Sequence, residues 1–406
     1  MKIEKLLHTP DGVRDVYGDE SALYRELEDR LRKVFLSYGY SDIRTPSFEY
    51  FDVFSEERGS VPSRDLYKFF DHDGNTLVLR PDITPAIARC AAKYYDDILF
   101  PVRLSYIMDT FINHSGYQGR LKERTQAGAE CFGYGDVDAD AEMIALLIRA
   151  LRNCGLTEFK IELGQVDFFR GLVEEAGIDD DTAEELRSLI SGKNFYGLED
   201  RARKLGLPED ITAGFVGISE LFGDVSCLEK APEITSNPVA LAAVDYLKRL
   251  YSLLSAYGME RFLTFDLGML GNYTYYTGVV FRAFSYGSGE PIAAGGRYDR
   301  LMRQFGKDVP AIGFGMMLDT VVSALKAQDI VIAPARCETL LVFEDDADHT
   351  SNVTAITHAR QMRNAGENVQ LLKKTRPMED CLSYAKSAGF TRVLYACGSE
   401  VTEAEL

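Results

Sequence analysis

Residues 111–133 read FINHSGYQGRLKERTQAGAECFG, and their reading decides the fold. Strand patterning over residues 102–111 and again over 126–133 flanks a long polar loop, which makes the stretch a long-looped hairpin. In its second strand Gln126 and Glu130 stand four residues apart. Side chains alternate faces along a strand, so an even spacing points both polar groups to one side and into one pocket.

Working outward, residues 21–38 predict an amphipathic helix, with Leu23, Leu27, Leu31, Val34, Phe35 and Tyr38 at three- and four-residue steps and Gly39 at the stop. The run 41–50, SDIRTPSFEY, reads as one strand entered by Pro46, which cannot donate to a ladder and so prefers an edge. Residues 68–80 form a hairpin around Asp73-Gly74-Asn75, and helices follow over 84–95 and, beyond the opening hairpin, over 139–153. A strand at 159–163 precedes helical patterning from 166 to 257, inserted between two β-rich halves. Strands resume at 262–267, 279–285 and 291–294, the last ending in a Gly295-Gly296 turn, and a strand at 311–316 leads into a helix to 325. Adjacent strands without regular βα alternation indicate an α+β class built on a mainly antiparallel sheet.

Residues 330–336 read as a linker. Beyond it strands at 339–343, 368–372 and 392–396 alternate with helices at 349–365 and 378–388, the pattern of a small α/β domain with parallel strands. The chain ends on VTEAEL soon after the third strand.

Composition excludes several classes. With 406 residues the chain is long enough for two or three domains, and 46% hydrophobic with 27% charged residues is ordinary for a globular protein. It has no apolar run long enough to cross a membrane and no signal-peptide pattern at MKIEKLLHTPDG. Its seven cysteines are scattered without CxxC spacing, which suggests reduced thiols in a cytoplasm. The five histidines converge with no carboxylate spacing, so neither a metal nor a cofactor is expected. A net charge of −18, from 63 acidic and 45 basic residues with no basic run, argues against a nucleic-acid partner.

Five segments in order carry a resemblance: TPDGVRD (9–15), TLVLRPDITPAIAR (76–89), the opening hairpin, NYTYYTGVVF (272–281) with AAGGRYDRL (293–301), and PAIGFGMMLDTV (310–321). Together they resemble the class II histidyl-tRNA synthetase family over about residues 5–325, and the tail resembles that family's anticodon-binding domain cut short. The resemblance implies a class II synthetase-like sheet flanked by helices over residues 1–329, a helical insertion over about 175–257, and a small α/β domain over 334–406. It also implies a histidine pocket. Asp82 takes the place of an acid that holds the α-amino group, with the Thr84 hydroxyl beside it. Gln126 addresses the amino-acid backbone, Glu130 accepts from the imidazole, and Tyr275, Tyr276 and Tyr298 form pocket walls.

On the ATP side the pattern departs. Ile112 stands in place of the first motif arginine, His114 in place of a glutamate, Thr320 after Asp319 in place of the last motif arginine, and Gly271 in place of the catalytic arginine. Isoleucine cannot neutralise a phosphate, whereas a guanidinium offers a fixed fork of donors. Arg120 and Lys122 remain in the loop. A synthetase-like body that keeps histidine contacts but not ATP contacts resembles the regulatory subunits of ATP phosphoribosyltransferase. That resemblance implies a chain without adenylation chemistry that supports a short-form catalytic subunit in the first step of histidine biosynthesis and mediates feedback by L-histidine. It further implies a hetero-oligomer, with self-pairing through residues 21–46. The alternative is an active or degenerate histidine–tRNA ligase, which would catalyse ATP–pyrophosphate exchange.

Overall fold

A computed structural model of the chain describes residues 7–54, 61–95, 101–114, 120–270, 276–333 and 336–406. They divide into two compact units, one of Met1–Val16 with Leu27–Ile332 and one of Tyr17–Glu26 with Ala333–Leu406.

Helix α1 (Gly18–Ser37) has Asp19 and Glu20 in its first turn, where negative charge meets the positive end of the helix dipole. Its Leu27, Leu31, Val34 and Phe35 are buried, and the Phe35 ring meets Phe314 at 6.3 Å between centroids. Next come β1 (Ser41–Asp42), β2 (Phe48–Tyr50), β3 (Lys68–Phe70), β4 (Thr76–Leu79), α2 (Thr84–Tyr94), β5 (Val102–Phe111), β6 (Glu123–Phe132), α3 (Val137–Asn153) and β7 (Phe159–Gln165). The helical stretch comprises α4 (Val166–Ala176), α5 (Asp180–Ser191), α6 (Phe195–Lys204), α7 (Glu209–Gly217), the two-residue strand β8 (Phe222–Gly223), α8 (Ala231–Ile234) and α9 (Pro238–Ala256). The side chains of Gln165, Asp179, Asn194 and Asn237 accept from backbone N–H groups at the starts of α4, α5, α6 and α9, satisfying donors that the helices cannot. Then follow β9 (Leu263–Asp266), β10 (Val279–Ser285), β11 (Ala293–Arg297), α10 (Asp299–Gln304), β12 (Ala311–Met317) and α11 (Leu318–Ala327).

The main sheet has nine strands in the order β1-β5-β6-β12-β11-β10-β7-β9-β8. Only the β1/β5 and β7/β9 pairs are parallel; the rest are antiparallel, as the sequence leads one to expect. One face is closed over its centre by α3 and α11. Met143, Ile144, Leu146, Leu147, Ile148 and Leu151 of α3 are all fully or almost fully buried, each contributing roughly 1.5–3 kcal/mol. On the other face Ile83, Ile87, Tyr106, Met108, Tyr298 and Leu301 pack together at the β5 side.

The run 41–50 is not one strand. Ser41 and Asp42 pair with Leu104 and Ser105 in the main sheet, whereas Phe48–Tyr50 pairs with β4 in a separate three-stranded sheet, β2-β4-β3. The break has a physical cause: Arg80 donates through Nη1 to the carbonyls of Thr45 (2.9 Å) and Pro46 (3.1 Å), in place of a ladder. Gly295 and Gly296 likewise form no turn; they lie inside β11, paired to both neighbours. A Cβ on Gly295 would sit 2.4 Å from the Gly313 carbonyl oxygen, so close strand approach is what requires glycine there.

In the second unit β13 (Thr339–Phe343), α12 (Thr350–Asn364), β14 (Val369–Lys373), α13 (Met378–Ala388) and β15 (Arg392–Cys397) form the parallel α/β pattern, but the chain does not stop there. Gly398 turns with φ 56°, and β16 (Glu400–Ala404) pairs antiparallel with β15 to complete a four-stranded sheet, β14-β13-β15-β16.

Candidate functional site

The pocket follows from sheet register. Reading across the strands, Glu162 pairs with Arg282, Arg282 with Ala294, Ala294 with Gly315, Gly315 with Gly128 and Gly128 with Tyr106. A second row runs Gly164, Val280, Gly296, Gly313, Glu130, Leu104. Both rows face one side, and their centre is paved with glycine. A Cβ on Gly313 would lie 1.6 Å from Glu130 Oε2, and one on Gly315 2.1 Å from Gln126 Nε2. The missing side chains leave a cavity of about 320 Å³, lined among others by Asp82, Arg124, Gln126, Tyr276, Arg282 and Tyr298. That is the lower end of the range for small-molecule sites.

Gln126 and Glu130 do share a face of β6, and the turn into α2 brings Asp82 and Thr84 to them. Asp82 Oδ1 accepts from the Ile83 backbone N–H at 2.7 Å and from Gln126 Nε2 at 3.4 Å. Gln126 Oε1 is buried with no hydrogen-bond partner among the described residues, an acceptor left for a donor-bearing ligand. Thr84 Oγ1 donates to Glu130 Oε1 at 2.7 Å, and the Tyr298 hydroxyl donates to Glu130 Oε2. Glu130 is 1% exposed, behind these two hydroxyls. Burial pushes its carboxyl up to about 8, against the opposing pull of the Tyr298 and Thr84 hydrogen bonds. Tyr276 packs against the floor: a Cβ on Gly296 would be 2.8 Å from its ring. Tyr275 and Gly271 lie outside the described residues.

Three lining or neighbouring groups escape the sequence reading. Tyr106 is fully buried in the floor beside Gly128, its hydroxyl held well above the usual range by burial and then by the Glu130 and Asp82 carboxylates. Only the β5/β6 register, not any motif, marks it. Arg124 and Arg282 both line the cavity, from strands whose pairing partners are invisible in a linear reading.

A histidyl-tRNA synthetase family model matches residues 12–321. The chain is 37% identical to an ATP phosphoribosyltransferase regulatory subunit of Acetivibrio thermocellus, over 98% of this chain and 94% of the relative. This chain belongs to the family of ATP phosphoribosyltransferase regulatory subunits. A crystal structure described as an ATP phosphoribosyltransferase regulatory subunit/histidyl-tRNA synthetase from Bacillus halodurans superposes with a TM-score of 0.86 at 30% identity, covering 97% of this chain and 99% of that one. Histidyl-tRNA synthetase from Nostoc sp. PCC 7120 shares the fold with a TM-score of 0.81 at 20% identity, covering 98% and 96% of the two chains.

In this member of the regulatory-subunit family Arg124, two residues before Gln126 on β6, is already engaged by acidic side chains. Arg124 Nη2 lies 3.1 Å from Glu290 Oε1, and its Nε lies 3.8 Å from Asp319 Oδ2. Thr320 is buried, its hydroxyl donating to the Met317 carbonyl at 2.7 Å where α11 begins. The Ile112 backbone N–H donates to the Lys122 carbonyl at 2.8 Å, and Lys122 Nζ donates to Asn113 at 3.4 Å. His114 belongs to the same stretch, its N–H donating to the Ile112 carbonyl at 3.0 Å. Arg297 of the GGRYD motif points to the opposite face, where it is buried against Asp140 and bonds the Tyr134 carbonyl. Among the described residues no cluster of His, Cys, Asp and Glu could hold a metal, and no helix is long and apolar enough to cross a membrane.

Proposed function

We propose that this chain is the non-catalytic regulatory subunit of an ATP phosphoribosyltransferase, acting with a short catalytic subunit in the first step of histidine biosynthesis, and that its cavity binds L-histidine as feedback effector. One contrast carries the reading. The end of the cavity with Asp82, the unpartnered Gln126 acceptor, Thr84 and Tyr298 offers acceptors and hydroxyls to an amino acid. Of the two arginines that line the cavity, Arg124 already has two acidic neighbours. An arginine placed on a phosphoryl transition state is worth roughly 10³–10⁵ in rate, and Ile112, Gly271 and Thr320 stand where the resembled ligases carry theirs, so adenylation is lost here.

Histidine carries an ammonium and two ring nitrogens, which suit acidic and amide acceptors. Tyr276 and Tyr298 supply walls, with Tyr275 assigned to the same role. Glu130 holds the Thr84 and Tyr298 hydroxyls in place and so acts on the ring through them. Feedback then requires histidine to favour one of two states of the complex, a coupling of typically 1–3 kcal/mol. The core over residues 1–329, its helical insertion over 175–257 and the domain over 334–406 belong to the same proposal. So do a cytoplasmic location, consistent with seven unpaired cysteines, and self-pairing near residues 21–46. Phe48, Tyr50 and Phe69, just beyond that segment, share one face of the β2-β4-β3 sheet and are 53%, 57% and 37% exposed, an aromatic face suited to a second copy.

The test is calorimetric titration with L-histidine and with ATP·Mg²⁺, for the chain alone and mixed with a short catalytic subunit. Histidine binding without ATP binding is the expected result. ATP binding with adenylate formation would restore the ligase reading, and silence towards histidine in every mixture would sink the effector site.

A further inference from the structure

Two arginines line the cavity, and they differ in what they do there. Arg124 is engaged by Glu290 and Asp319. Arg282, half-buried on β10, makes no hydrogen bond or ion pair among the described residues. Glu162 stands opposite it in register and feels its charge, but does not close to ion-pair distance. Arg282 also borders a second cavity beside Lys193 and Asp266, and those two groups are already paired with each other.

The row of side chains leading from Arg282 towards Tyr106 consists of Ala294, Gly315 and Gly128, a methyl group and two bare backbones. Nothing larger than a methyl group therefore stands in that row between Arg282 and Tyr106. Gln126 lies on β6 and Arg282 on β10, three strand spacings away, about 14 Å at the usual separation. Side chains reaching in from both ends leave a gap of amino-acid length. An ammonium at the Asp82–Gln126 end leaves a carboxylate to be met at the other. A partly buried guanidinium without a partner among the described residues suits a carboxylate better than any neutral group.

We infer that Arg282 anchors the α-carboxylate of the bound amino acid and makes the site select amino acids over decarboxylated or reduced analogues. The inference rests on the histidine reading above. Its test compares L-histidine with L-histidinol, which replaces the carboxylate by a hydroxymethyl group, on the whole chain and, where needed, with the catalytic subunit. Arg282→Gln should weaken histidine by about 10- to 100-fold, the loss of one charge-assisted interaction, and leave histidinol unchanged. Arg282→Lys, which keeps the charge without the fork, should fall between. The ratio of the two ligands is read within each variant, so a loss of folded protein cannot imitate the effect. Equal weakening of both ligands, or of neither, overturns the inference while the pocket reading stands. A wild-type chain that binds neither ligand in any mixture overturns both.

Discussion

Glu130 has an ordinary carboxyl value of 4.5 and is pushed up to about 8 by burial. Between those values the folded chain binds a proton that the unfolded chain releases. Its contribution to stability is therefore fully present below pH 4.5 and is lost as pH rises towards 8. Glu130→Gln, neutral at every pH and similar in shape, should remove this slope and be more stable than the wild type at pH 8. Urea denaturation at several pH values across that window measures it, and parallel curves for the two proteins would refute it. Asp82 acts at the same scale on binding: Asp82→Asn keeps the acceptor from Ile83 but removes the charge offered to an ammonium. Histidine affinity should fall by about tenfold or more in calorimetry, since hydrogen bonds to charged groups are worth about 1.5–3 kcal/mol.

At the scale of elements, β12 and β11 do opposite jobs on the two faces of the sheet. Gly313→Ala would place a methyl group into Glu130 and 2.7 Å from the Ala129 carbonyl oxygen. Overpacking of this kind costs about 1–3 kcal/mol, which the shift of a denaturation midpoint would report. On the far face the Arg297–Asp140 pair ties β11 to α3, and Tyr246 of α9 donates to the same carboxylate. Asp140→Ala should cost up to about 3–5 kcal/mol, because it leaves the buried guanidinium only Asp299, at 3.3 Å, and the Tyr134 carbonyl; a midpoint within error of the wild type would contradict this. The hairpin of β5 and β6 and the longer helices were legible as period-two and period-3.6 patterns, because those depend on neighbours in sequence, whereas the six-residue α10 and the order of strands in the sheet were not. What failed depended on neighbours in space. The split of residues 41–50 is imposed by Arg80, distant in sequence. The pairing of Gly295 and Gly296 inside a strand reflects what β10 and β12 press against them. The strand β16 hides in the polar run EVTEA because it is an edge with little to bury. In the site, Gln126 and Glu130 could be placed on one face, but that Glu130 faces two hydroxyls, and that Arg282 lines the same cavity from β10, depends on strands brought together in space.

For the whole molecule, the purified chain should give no ATP–pyrophosphate exchange with histidine present; a rate above background would return it to the ligases. If the aromatic face around Tyr50 is covered by a second copy, Tyr50→Glu should shift the chain towards monomer in light scattering, and an unchanged mass would place the contact elsewhere. The cavity itself bears on the chain's history. Its floor is made of atoms that are not there, at Gly128, Gly296, Gly313 and Gly315. Any replacement of a glycine adds a carbon at Cβ, and at Gly128, Gly296 and Gly313 that carbon would stand 2.2–2.7 Å from a neighbouring backbone oxygen. The hollow is therefore written into the pairing of β6, β12, β11 and β10: mutation cannot fill it without prising the strands apart, so the space outlasts whatever chemistry is gained or lost around it.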